Sequence, residues 1–204
     1  MNIHSEHLSV FIIVITRLYS IYWINQEKNN FTSPKNNLTK KLGSLIHIRN
    51  LLTFTAFGSY LVLYYSLYKI YYGLSPPNYI FSVAWVIDLT TTIGFWFLVY
   101  PLYNIDTNPQ NRILDVLSHG PTFVNMSYIL SNFNNNPIYI YNLKYSLCAG
   151  FFWLLFIWIP WYIFTNDAMY HVLNSKKSIK SRLKSIFKIL LIIILSHCLG
   201  AYVY

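Results

Sequence analysis

Apolar residues run along the chain in six long stretches, approximately 8–24, 50–72, 79–103, 113–133, 143–164 and 185–204, separated by short polar connections. Each is close to the roughly 20 residues that a helix needs to cross a hydrocarbon core of about 30 Å. None alternates apolar and polar residues with a period of two. That argues against a barrel and leaves the helix as the element able to satisfy its own backbone in lipid. The pattern predicts an all-α membrane protein, a polytopic bundle of six transmembrane helices. The count falls to five if the first stretch does not span, because it carries Arg17 near its middle. Facing lipid at the bilayer centre, that arginine would cost about 2.5–3.5 kcal/mol, so it is expected to face protein or snorkel. The stretches leave no room for a separate soluble domain, and residues 1–204 read as a single transmembrane helical domain. The opening Met-Asn-Ile-His-Ser-Glu-His lacks the cationic flank of a removable signal peptide, and no small-residue cleavage site follows.

Composition sharpens this picture. Only 10% of residues are charged, against about 25% in ordinary soluble domains, and 19% are aromatic. Mean hydropathy is +0.38. A soluble enzyme, a disordered tail and a disulfide-stapled secreted domain are all excluded by these values. Cys148 and Cys198 lie inside apolar runs and read as small buried hydrophobes. The net charge of +9 does not point to nucleic acid, because the cations sit in the connections after the first, third and fifth stretches. The positive-inside rule places those connections in the cytosol and both termini outside or in the lumen. Asn30-Phe-Thr and Asn37-Leu-Thr read as glycosylation sequons that this topology would leave unmodified. The basic segment at 176–188 has the composition of a juxtamembrane stretch attracted to anionic lipid heads, or simply of an orientation signal for the last span. An integral multi-pass location is expected, in the endoplasmic reticulum, another endomembrane or the plasma membrane.

Within a bilayer, polar and ionisable side chains carry the information, since each is costly without a partner or a role. Thr53 lies four residues after Arg49 and His119 seven after Arg112, which puts both near the cytosolic ends of two spans running in the same direction. A hydroxyl and an imidazole at matched depth are the minimum set for nucleophilic acyl transfer. Spacing alone does not single out Thr53. Thr55, Thr90, Thr91 and Thr92 are equally available, and a threonine in a helix commonly bonds its own backbone. Asp88, inside the third span, is expected to pair with Arg17 or, less directly, to orient His119. Asp115, one turn before His119, reads as an aqueous helix-end acid or as the third member of a triad. His197 lies at the opposite end of the bundle from Thr53. No His-x-x-x-His or Cys-x-x-Cys spacing suggests a metal, and no glycine-rich loop suggests a phosphate cofactor.

The stretch Arg49-Asn-Leu-Leu-Thr-Phe-Thr, together with Leu117-Ser-His-Gly-Pro-Thr-Phe, resembles motifs of the androgen-induced / androgen-dependent TFPI-regulating protein family. Leu52, Thr53 and Phe54 match the first family motif, and Leu117, His119 and Gly120 the second. Asn-Asp-Ala-Met-Tyr at 166–170 weakly resembles a third. The chain departs at Ser118, Thr122 and His171, where the family usually has Asn, His and Pro. The resemblance implies an intramembrane threonine hydrolase of fatty acid esters of hydroxy fatty acids. Thr53 would be the nucleophile, His119 its partner, and the lipid substrate would enter from the bilayer without a cofactor. Two other readings fit the same residues: a small transporter or channel lined by Arg17, Asp88 and the threonine run, and a non-catalytic scaffold descended from such hydrolases.

Overall fold

Long apolar segments interrupted by Gly, Pro and capping residues build every element of the chain. The computed structural model describes residues 4–29, 42–43, 45–99, 116–133, 137–167, 169–170, 173 and 178–203. Among these there is no strand. Helix α1 is His4–Asn29, α2 Leu45–Leu52, α3 Phe54–Tyr72, α4 Asn78–Gly94, α5 Pro121–Ser131, α6 Leu143–Phe152, α7 Ile159–Thr165 and α8 Ile179–Val203. Two π-helical segments interrupt the ladder: Phe95–Val99 extends α4, and Trp153–Trp158 joins α6 to α7.

The breaks have local causes. Thr53 adopts an extended backbone (φ −60°, ψ 155°) and its hydroxyl accepts the Ala56 N–H, so it ends α2 and caps α3 in one residue. The two helices consequently meet at 63°. At the other end of α3, Gly73 takes the left-handed conformation that favours glycine (φ 66°) and returns its N–H to the Lys69 carbonyl. Pro121 occupies the first turn of α5, where its missing N–H costs nothing, and ends the preceding turn at His119–Gly120.

Helix α4 is the axis of the bundle. Its residues from Phe81 to Thr91 are buried without interruption, and α3, α5, α6 and α8 all pack on it, while α1 lies against α3 and α5. Close approach depends on glycine. A Cβ at Gly200 of α8 would sit 2.7 Å from Trp85 of α4 and from Ile138, and one at Gly150 of α6 would sit 2.7 Å from Ile193 of α8.

Polarity is distributed inside out. Glu6, Lys69, Asp88 and His197 are buried, whereas Phe97, Phe164 and Tyr202 are more than 70% exposed. On α8 the exposed Leu183, Phe187, Leu191, Leu195 and Leu199 recur every fourth residue, forming one outward apolar stripe. A surface of this kind is compatible with lipid.

Among the described residues, three helical segments are long and apolar enough to cross a membrane: Asn78–Phe97, Ile140–Thr165 and Ile179–Tyr202. A fourth arises if the bent pair α2–α3 counts as one span. The sequence pattern predicts six. α1 has the length but carries Glu6 and Arg17, and α5, at 11 residues, covers only about 16 Å. The predicted span 113–133 is therefore not one helix among the described residues, because Gly120-Pro121 breaks it.

Candidate functional site

Thr53 and His119 occupy the two helix breaks. Thr53 does not sit inside a continuous helix, as the spacing from Arg49 predicts. Its half-buried hydroxyl stands at the N-terminus of α3, accepting from Ala56 N–H and donating to the Asn50 carbonyl at 3.2 Å. His119 is buried in the bend before α5, its ring stacked on Phe95 with centroids 3.8 Å apart and planes 4° from parallel. It also lies against the Thr91 carbonyl. His119 Nδ1 is buried without a hydrogen-bond partner. His197 is the contrast: one ring nitrogen meets Ser146 at 3.2 Å and the other the Tyr139 carbonyl at 2.9 Å, which makes it a satisfied structural histidine.

Each break is gripped by an indole from a π-helical segment. Trp153 Nε1 donates to the Leu52 carbonyl at 2.9 Å, and its ring packs on Phe54, centroid to centroid 5.0 Å. Trp96 Nε1 donates to the carbonyl of His119 at 3.2 Å, next to the Phe95 stack. A π-turn places one extra residue in the helix, and such turns occur often at functional sites. The sequence reading missed Trp96 and Trp153. Their only sequence signal is that each is the Trp of a Phe-Trp pair, 95–96 and 152–153, deep in an apolar run.

A second clamp holds the α2–α3 break from the other side. Arg49 Nε donates to Asp167 at 2.7 Å, a second Arg49 nitrogen donates to the Met169 carbonyl, and Trp161 donates to the same Asp167 oxygen at 3.0 Å. Asn166 and Met169 both take positive φ (51° and 55°) in this turn. The result brings Tyr170 to Phe54, whose backbone N–H donates to the phenol oxygen at 3.0 Å. The stretch 166–170 resembles the family pattern only weakly, yet its Tyr170 reaches the backbone of the residue after Thr53.

α1 relates the two breaks in depth. Ser20 accepts from Asn50, Arg17 donates to Ser59 at 3.0 Å, and Thr16 donates to the Leu117 carbonyl at 3.5 Å. Both breaks thus border residues 16–20 of α1, which rise about 6 Å. No hydrogen bond joins Thr53 to His119 among the described residues. Arg17, between Thr16 and Ser20 in the sequence of α1, donates to Ser59 on α3.

The accessory residues resolve differently. Asp88 accepts from Thr122 at 3.2 Å and not from Arg17, whose donor goes to Ser59. The expected Arg17–Asp88 pair is absent because the two side chains reach neutral hydroxyls on different helices. Thr90, Thr91 and Thr92 bond backbone carbonyls of α4 at 2.7, 2.8 and 2.9 Å, the bland role open to them from sequence. Lys69 is buried and paired with Glu6. Asp115, Arg112, both sequons and Lys176–Lys177 lie outside the described residues. No group of three or more metal-ligating side chains occurs among the described residues. Searches against protein families, curated proteins and solved structures found no match to this chain.

Proposed function

We propose that the chain is an integral membrane hydrolase that cleaves esters of fatty acids with hydroxy fatty acids, using Thr53 as nucleophile and His119 as base. The observation that carries this reading is the pairing of breaks: both residues leave regular helix beside the same turn of α1, and each break is held by an indole from a π-segment. His119 supports it further, since a buried imidazole with an unpartnered nitrogen is costly unless it has a role. In the reaction the imidazole accepts the Thr53 proton as the oxygen attacks the ester carbonyl. The alcohol then leaves with that proton, and water, deprotonated by His119, releases the acid from the acyl-threonine. The hydroxyl now bonded to Asn50 must turn toward His119, as happens when catalytic hydrogen bonds tighten only with substrate bound. Substrate enters sideways from the leaflet, and the basic residues around 176–188 hold anionic lipid heads.

The cap complicates the usual alanine test, so the decisive variant is Thr53→Asn. Asparagine caps a helix as well as threonine but offers no hydroxyl. In membranes containing the protein, Thr53→Asn and His119→Ala are each expected to abolish ester turnover, while Thr53→Ser retains it. Turnover surviving Thr53→Asn removes the nucleophile.

A transporter reading has one observation of its own: buried polar contacts line α1 from Glu6–Lys69 through Ser9–Asn125 and Arg17–Ser59 to Ser20–Asn50. Labelling by an acyl-reactive probe, lost in Thr53→Asn, separates the hydrolase from both the transporter and a non-catalytic scaffold.

A further inference from the structure

Arg17 is a cation without an anion. Its guanidinium donates to the Ser59 hydroxyl at 3.0 Å and lies 5.9 Å from the Tyr60 ring centroid. Both partners are neutral. Its Nε is buried with no hydrogen-bond acceptor, and no carboxylate among the described residues pairs with it. Lys69, also in the interior, behaves in the ordinary way and meets Glu6. An arginine inside an apolar bundle normally faces a counter-charge or a functional cavity. The fork of Nε and a terminal nitrogen is the geometry that receives a carboxylate side-on.

A second unpaired donor lies beside it. The Tyr170 phenol oxygen accepts from Phe54 N–H, which leaves its own proton to donate, and no acceptor for that proton occurs among the described residues. Both side chains reach the first turns of α3, Tyr170 at Phe54 and Arg17 at Ser59, five residues apart on one helix and so about 7.5 Å along its axis. The guanidinium fork and one phenol supply a single positive charge and three directed donors. That suits a monoanionic, planar group; a phosphate, carrying more charge, would call for more cations.

We infer that Arg17 and Tyr170 form a binding site for the free carboxylate of a long-chain lipid. The site fixes the acid end of the ligand beside the α2–α3 break. Resting on the hydrolase reading, it explains how an ester of a hydroxy fatty acid, which keeps one free carboxylate, is distinguished from a neutral ester. The carboxylate end is anchored at Arg17 and the ester lies further along the same chain.

Binding measures this without turnover. The full chain in phosphatidylcholine nanodiscs is titrated with a diazirine-bearing palmitic acid, its methyl ester and the corresponding alkyl phosphate, and photo-crosslinking is quantified. The acid is expected to label at least 10-fold more tightly than the methyl ester. Arg17→Gln brings the acid down to the ester's level, Arg17→Lys restores part of the difference, and Tyr170→Phe reduces it several-fold. Methyl ester labelling stays unchanged throughout, which reports an intact fold. If Arg17→Gln fails to fold, the wild-type comparison and Tyr170→Phe still decide. Equal labelling by acid and methyl ester in the wild type, an acid preference that survives both substitutions, or tighter labelling by the alkyl phosphate overturns the inference. Ester cleavage without an acid preference defeats this inference alone. An acid preference without cleavage defeats only the hydrolase.

Discussion

Trp153 donates its indole N–H to the Leu52 carbonyl, 101 positions earlier in the chain, and so fixes the backbone one residue before Thr53. A carbonyl at a helix end bent by 63° has lost its intrahelical partner, and in an apolar setting it must find another. The indole supplies that bond while its ring seals the break against Phe54.

Trp153→Phe tests this hold directly. Phenylalanine keeps most of the packing and removes the donor, leaving the Leu52 carbonyl unsatisfied. A loss of about 1–3 kcal/mol is expected from the orphaned group. Ester turnover should fall by at least 10-fold, because small displacements of a nucleophile are costly. Thermal unfolding in detergent and turnover in membranes measure the two effects. A variant with unchanged turnover would show that the indole serves stability alone.

The ion pair between Glu6 and Lys69 makes a different kind of claim, because it joins α1 to α3 far from Thr53. Glu6→Gln or Lys69→Met alone leaves one buried charge uncompensated, at a cost of about 3–5 kcal/mol. The double variant removes both charges and is expected to be more stable than either single one. Unfolding of all four proteins in one detergent gives the coupling, and additive losses would mean that the pair contributes nothing as a pair.

How much of this could be read beforehand depends on the residue. The helical class and the apolar stretches were visible as local patterns. The breaks at Thr53 and His119–Gly120 were also local, since a capping threonine and a Gly-Pro step announce themselves, but a smooth apolar run hides them from a hydropathy count. The partners were not legible. Whether Asp88 meets Arg17 or Thr122, and whether Arg49 marks topology or clamps Asp167, depends on which helix faces meet. The π-segments at Phe95 and Trp153 were invisible for the same reason: their causes lie in the partners they grip.

Asp88 separates a structural carboxyl from an accessory one. Its Oδ1 accepts from Thr122 and its Oδ2 has no partner, while His119 touches Phe95 and the Thr91 carbonyl instead. Asp88→Asn keeps an oxygen for Thr122 and changes nothing around the imidazole. Turnover is expected to stay within about threefold of wild type, the scatter typical of a change away from the reacting groups. A loss of 100-fold or more would put Asp88 in the proton path after all.

The clamp by Arg49 is the remaining test, and it concerns geometry more than charge. Arg49 reaches Asp167 and the Met169 carbonyl with different nitrogens, which holds the turn that presents Tyr170 to Phe54. Lysine keeps the positive charge but cannot span both acceptors. Arg49→Lys is therefore expected to insert with the same orientation, to lose about 1–2 kcal/mol through the freed carbonyl, and to label less with the carboxylate probe because Tyr170 is no longer fixed. Asp167→Asn should behave in the same direction but more mildly, since the Met169 contact survives. Protease accessibility of the termini reads the orientation and crosslinking reads the site. If Arg49→Lys keeps full labelling, the left-handed Asn166 and Met169 hold Tyr170 in place without the arginine.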